Sequence, residues 1–183
     1  MTKQEQAVET RRRLLTAAIT TMRDHGISGL TLDAVARAAG VSKGGLLHHF
    51  ASKDVMVEAI VRHLFADFEA RVHTYYAAEP QQPGRWLRAY VRATYDESPV
   101  PLELAALLMR AMNENRTLLS LIQTDFVEWR QRLFNDGVPK ARAMIVRQAA
   151  DAYLIDRMLG VPADQHIDRL DVMNELLHLT RVE

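Results

Sequence analysis

The chain has 183 residues, 48% apolar and 25% charged, with 23 Lys+Arg against 23 Asp+Glu and no cysteine. These are globular values, so disorder of the whole chain is excluded, as are disulfide scaffolds, thiolate metal sites and cysteine nucleophiles. No apolar run approaches the ~18 residues of a membrane span, and polar Met1–Arg13 offers no apolar core for a secretory signal, so a cytoplasmic location is expected.

The balanced total hides an asymmetry. Residues 1–53 carry eight basic side chains (Lys3, Arg11, Arg12, Arg13, Arg23, Arg37, Lys43, Lys53) against four acids (Glu5, Glu9, Asp24, Asp33), so the remainder carries the compensating negative charge. One end of the chain is therefore a candidate polyanion binder.

The pattern is helical throughout, with no sustained two-residue alternation to support strands. Residues 1 to about 8 are expected as a flexible arm. A first helix is expected from Glu9 to His25, where Leu14, Leu15, Ala18, Ile19 and Met22 share a face and Gly26 ends it. Arg11, Arg12 and Arg13 sit in its first turn, where the helix dipole disfavours cations; they are either phosphate contacts or solvated surface residues. Thr31 caps a second helix, Leu32–Ala39, which Gly40 breaks. Ser42 caps a third, Lys43–Phe50. Ser52 caps a long fourth that reaches Ala78, before the break Glu79-Pro80-Gln81-Gln82-Pro83-Gly84. Five more segments follow: Arg85–Glu97, Leu102–Asn113, Arg116–Asn135, Lys140–Leu159 and Gln165–Arg181. The expected fold is all-α, with nine helices in two domains, over 1–52 and 53–183.

Residues Leu30 to Phe50 carry the most information. Two short helices joined by a tight glycine-containing turn form a helix-turn-helix. Ala36 and Ala39 let the helices approach, Gly40 supplies a positive φ, and Val41 and Leu46 hold the second helix to the core. That leaves Ser42 to Gly45 free to face base edges in a major groove.

On Ala36-Arg37-Ala38-Ala39-Gly40-Val41-Ser42, Gly44, His49-Phe50 and Ser52-Lys53 the sequence resembles the TetR family of bacterial transcriptional regulators. The resemblance covers about residues 11–60. It implies that Ser42–Phe50 is the recognition helix, that Thr31 and Lys53 contact phosphate, and that Ser42, Lys43 and His48 lie where base and phosphate contacts are made. Thr31, Ser42 and Ser52 also serve as N-caps. His49 is expected to pack on the core. Two departures stand out. Leu47 occupies a position where the family often has an aromatic residue, and Gly45 adjoins Gly44 within the recognition helix. Each glycine costs about 1 kcal/mol of helix propensity relative to alanine, so the pair provides either close backbone approach to the groove or a helix that orders fully on DNA.

In the second part, Phe65, Phe68, Trp86, Tyr90, Met109, Met112, Phe126 and Trp129, with Tyr95 and Phe134, either line a cavity or form an ordinary helical core. The resemblance implies an inducer pocket here, for a small effector that is largely apolar or aromatic. His63, His73, Glu103, Asn113, Asp125 and Glu128 are candidate polar anchors, and an acid among aromatic rings would suit a cationic ligand. Ala141, Ile145, Ala149, Ala152 and Tyr153 form one stripe and Ile167, Leu170, Met173, Leu176 and Leu177 another. Two such helices from each of two chains would make a four-helix bundle, and the resemblance implies a homodimer of this kind. A two-fold dimer would present its recognition helices about 35 Å apart to a pseudo-palindromic operator. The resemblance further implies that ligand moves the fourth helix and releases DNA.

No H-E-x-x-H pattern, glycine-rich phosphate loop or serine elbow is present, so no catalytic residue, metal or cofactor is expected. His48 and His49 point about 100° apart on a helix and make no paired metal site. A constitutive DNA-binding protein, or an activator without a small-molecule effector, is the alternative.

Overall fold

The structure, a computed structural model, describes residues 2–96, 116–162 and 164–182, without the side chains of 117, 118, 121, 122, 125 and 126. Among the described residues there are eight helices and no strand: α1 (Lys3–Gly29), α2 (Leu32–Ala39), α3 (Lys43–Leu47), α4 (Lys53–Ala78), α5 (Arg85–Tyr95), α6 (Arg116–Phe134), α7 (Lys140–Leu159) and α8 (Arg169–Leu179). The helix expected over Leu102–Asn113 lies outside the described residues. The chain divides into two compact units, with the division inside α4 between Phe65 and Ala66. The sequence-based boundary stands instead at the start of that helix.

In the first unit, α1 begins at Lys3 rather than Glu9, which corrects the expectation of a flexible arm. The cause is a capping box. Thr2 Oγ1 accepts from the Glu5 amide at 3.2 Å, and the Thr2 amide donates to Glu5 Oε2 at 2.7 Å, so two orphan donors are satisfied at once. The helix then kinks at Gly26, whose φ is 69°. Leu14, Leu15, Ala18 and Met22 of α1 are buried with Val35, Ala36 and Ala39 of α2, while Ile19 is half-buried. The alanines let α1, α2 and α3 pack closely.

Gly40 ends α2 in the left-handed region (φ 65°, ψ 36°), and its amide reaches the carbonyls of Ala36 and Arg37. The Val41 amide bonds Ala36 O at 3.0 Å. This closes the orphan carbonyls of α2 and sets the turn. Helix α3 is shorter than expected: it stops at Leu47, and the backbone closes through His49 N–Leu46 O (2.8 Å) and Phe50 N–Leu46 O (2.9 Å). Leu46 and Phe50 are fully buried behind it, Val41 is half-buried, and His49 is half-buried.

In the second unit, α5 is buried nearly all round and packs against α6, α7 and α8. A helix enclosed in this way is the centre of its core. Its Leu87 and Val91 share one buried cluster with Leu133, Val146, Leu176 and Leu177 of the helices around it. The turn before α5 is held by Asp136, whose Oδ2 accepts from the Leu87 amide at 2.9 Å and whose carbonyl accepts from Gly84 at 2.6 Å. Beside it Glu79, 8% exposed, accepts from Arg88 Nε at 2.8 Å and from Arg92 Nε at 2.6 Å. Burial works to raise the Glu79 pKa, but the hydrogen bonds and charges of Arg92 and Arg88 outweigh it and hold the carboxyl below its ordinary value. The last helix starts at Arg169, later than the expected Gln165, because the Asp168 side chain caps it through the Leu170 amide.

Candidate nucleic-acid interface and effector cluster

The first unit presents a short helix whose buried residue is Leu46 and whose other residues are exposed. Ser42 Oγ accepts from the Gly45 amide at 3.1 Å and Thr31 Oγ1 from the Ala34 amide at 3.2 Å. Both hydroxyls therefore cap, and each keeps its proton to donate elsewhere. Gly44 and Gly45 are exposed. A methyl on Gly44 would meet nothing within 4 Å, and one on Gly45 would meet only Ser42 Oγ, at 3.3 Å. Leu47 is 41% exposed and His48 is exposed. Gly44, Leu47 and His48 are neighbours at i, i+3 and i+4, so they share a face.

The cations of this unit are less free than the sequence suggests. Lys43 Nζ pairs with Asp33 Oδ2 of α2 at 3.0 Å, a contact ten positions away that no helical period reveals. Lys53 Nζ donates to Ile27 O at 2.6 Å. Arg12 makes a two-pronged pair with Glu9, at 2.9 and 2.7 Å. Arg13 Nη2 donates to Ala39 O at 2.6 Å, and the Arg11 guanidinium lies 4.9 Å from the Phe50 ring centre.

In the second unit, Phe68, Trp86, Tyr90 and Trp129 come together. Phe68 meets Tyr90 edge-on at 5.6 Å, and Trp129 lies 6.2 Å from Phe68, 6.2 Å from Tyr90 and 6.1 Å from Trp86. Tyr76 and His73 complete the cluster, at 4.1 and 5.2 Å from Trp86. Tyr76 is not among the residues that the sequence singles out. Arg71 lies over Phe68, Arg85 over Tyr76 at 4.0 Å, and Arg132 over both tryptophans. Arg85 over Tyr76 and Arg132 over Trp86 join different helices, which helical spacing does not reveal, whereas Arg71 over Phe68 and Arg132 over Trp129 are i, i+3 pairs within one helix. Tyr90 also donates to Asp151 Oδ1 at 2.5 Å, and Asp151 pairs with Arg147. Burial first, then the charge of Asp151 and the hydrogen bond to it, push the Tyr90 hydroxyl well above its ordinary pKa. Phe65 is half-buried in the first unit's part of α4. Met109 and Met112, with Glu103 and Asn113, lie outside the described residues, as do the side chains of Phe126 and Asp125.

The two terminal stripes divide by burial. Leu176 and Leu177 are buried in the protomer's own core, and Ala149, Met173 and Tyr153 pack partly against it, Tyr153 stacked on Tyr95 at 4.0 Å. Ala141, Ile145, Ala152, Ile167 and Leu170 are exposed, Ile145 by 59% and Ile167 by 56%. Ile155, Leu159, Val161 and Val172, on or next to the same two helices, are exposed as well. Among the described residues no group of side chains could hold a metal ion, and no helix is long and apolar enough to cross a membrane.

A helix-turn-helix unit joined to a separate helical unit defines the class of a helix-turn-helix transcriptional regulator. The family described as "Bacterial regulatory proteins, tetR family" matches residues 14–60, and "Tetracyclin repressor-like, C-terminal domain" matches residues 84–181. The chain belongs to the TetR family, and it is a regulator rather than an enzyme. It is 31% identical over 155 residues to the HTH-type transcriptional regulator BetI of Burkholderia thailandensis, covering 80% of this chain and 77% of that protein. In fold it is similar to a transcriptional regulator of Pseudomonas aeruginosa PAO1 (TM-score 0.74, 15% identity, 92% of this chain and 88% of that one). It is also similar to the multidrug binding protein EbrR complexed with malachite green (TM-score 0.66, 22% identity, 94% and 98%).

Proposed function

We propose that this DNA-binding regulator is a cytoplasmic repressor that binds a pseudo-palindromic operator as a homodimer and is released by a small apolar or aromatic effector. The observation that carries the DNA contact is the exposed edge of α3, Ser42 to Gly45 with Leu47 and His48, set on the fully buried Leu46 and Phe50. A rigid backing of this kind lets side chains and backbone enter a major groove without reorganisation. In this reading Thr31 donates its hydroxyl proton to phosphate while still capping α2, and Lys43 and Lys53 exchange their present partners for phosphate or base edges.

The exposed apolar face of α7 and α8 supports the homodimer. Ile145, Ile167 and Leu170 would stay in water in a single chain, and burying each such side chain contributes about 1.5–3 kcal/mol. The aromatic cluster of Phe68, Trp86, Tyr90 and Trp129 supports the effector. Three arginines already cover its ring faces, so a neutral or anionic aromatic ligand suits it better than the cationic ligand envisaged from sequence. Malachite green, bound by the structurally similar EbrR, is a direct probe of that preference.

Ile145→Asp with Leu170→Asp should give a monomer by light scattering, and specific DNA binding should be lost with it. A variant that stays dimeric would refute the assignment of this face. Screening aromatic acids and malachite green for a rise in melting temperature tests the effector. No shift with any aromatic compound would remove the effector part.

A further inference from the structure

We infer that Arg11 and Arg13 are positioning residues that clamp the helix-turn-helix onto α1, and that Arg12 is the arginine of this run that reaches phosphate. This rests on the DNA-binding reading of α3 but assigns the three arginines differently from their sequence-based reading as a set.

The two clamp contacts bracket the recognition helix. Arg13 donates to the carbonyl of Ala39, the last residue of α2, at 2.6 Å. That carbonyl belongs to the last turn of a helix, where no backbone donor remains for it, and a guanidinium there also meets the negative end of the α2 dipole. Arg13 further packs on Gly40, with Nη2 3.7 Å from where a Cβ would stand. Arg11 lies at the other end. Its guanidinium sits 4.9 Å from the ring centre of Phe50, the fully buried residue whose amide closes the chain after α3. Between Ala39 and Phe50 lie the turn and the whole of α3. Because α1 starts at Lys3, this run lies more than two turns inside the helix rather than in its first turn, beyond the reach of the dipole, and Arg11 and Arg13 meet partners outside α1.

Arg12 differs. Its partner Glu9 lies on its own helix, and both side chains are largely exposed, 69% and 45%. An exposed pair of this kind is surrendered at little cost when a phosphate arrives.

The test uses the full chain and a fluorescein-labelled random-sequence duplex, so no operator need be known. Binding is measured across a salt series alongside native-state amide exchange. For Arg13→Gln, exchange at Gly40 and Val41, the amides that close the turn, should quicken about tenfold, the value of one charge-assisted hydrogen bond at its low end. The slope of log K against log salt should match wild type. Arg12→Gln should leave exchange unchanged and lower the slope by about 1.8, one phosphate contact of about 0.9 from each protomer of the dimer. Arg13→Lys covers the case in which Arg13→Gln folds poorly. It keeps the charge, but its ammonium ends one atom short of the position of Arg13 Nη2, so the bond to Ala39 O is weakened and exchange should still quicken at an unchanged slope.

A slope lowered by about 1.8 in Arg13→Gln overturns the clamp, as does unchanged exchange in both Arg13 variants. An unchanged slope in Arg12→Gln overturns its assignment. Absence of any salt-dependent binding by wild type would instead refute the DNA-binding reading, and the exchange comparison would still decide the clamp.

Discussion

Replacing Glu79 by Gln should destabilise the second unit by about 3 kcal/mol. The carboxylate is 8% exposed and faces Arg88, itself 10% exposed. Arg88 keeps two other acceptors, the carbonyls of Pro83 at 2.8 Å and Gln82 at 3.4 Å, and Arg92, 40% exposed, can turn to solvent. Removing one partner of a buried pair costs about 3–5 kcal/mol, and the surviving carbonyl bonds put this case at the low end, about 3 kcal/mol. Both tryptophans of the chain, Trp86 and Trp129, lie in this unit, so urea unfolding followed by tryptophan fluorescence reports on it alone. The loss has a pH signature. Because the folded pKa of Glu79 is lowered, its contribution is present above the unfolded glutamate value, about 4.3, and is lost as pH falls through the folded one. Wild type should therefore lose stability below pH ~4.3 more steeply than Glu79→Gln. Asp136, whose pKa burial raises despite the Leu87 and Trp86 amides, acts in the opposite sense in both proteins and cancels in the comparison. A loss below about 1 kcal/mol at neutral pH, the range of an exposed pair, would refute the claim that this network is a buried one.

Other substitutions probe other parts of the account. Gly44→Ala, with open space around the added methyl, should stabilise the free protein by about 0.5–1 kcal/mol and weaken DNA binding; destabilisation in urea would show that α3 needs the glycine for its own fold. Gly84→Ala should cost about 2 kcal/mol or more, since φ is +83° and the new Cβ would stand 2.5 Å from Thr180 O; an unchanged urea midpoint would contradict this. The raised pKa of Tyr90 makes its neutral form part of the fold, so its contribution is full below the unfolded value of about 10 and is lost as pH rises through the folded one. Tyr90→Phe should therefore lack that part of the alkaline loss of stability, and identical alkaline limbs in variant and wild type would remove the argument.

Much of this was legible before any coordinates. The caps Thr31 and Ser42, the left-handed Gly40, the small Ala36 and Ala39 and the apolar period of α1 each act within one or two turns, and local pattern reaches that far. The start of α1 was also legible, in Thr2-Lys3-Gln4-Glu5, but a polar terminus read as an arm concealed the capping box. What sequence does not carry is the partner of a long side chain. Arg13 to Ala39, Lys53 to Ile27 and Lys43 to Asp33 each join different helices, and a basic run looks the same whether it meets phosphate or its own backbone. The same limit applies to Leu176 and Leu177, whose stripe matches that of Leu170 although they turn inward and it turns out. Tyr76 to Trp86, Arg85 to Tyr76 and Arg132 to Trp86 also join different helices and are hidden for that reason too.

The most direct measurement is fluorescence anisotropy of the full chain on DNA from just upstream of its own gene, against scrambled DNA of equal length, at two salt concentrations. The account predicts specific binding at ~10⁻⁸ M or tighter at physiological salt, lost on scrambling. No binding to either DNA even at low salt would contradict it.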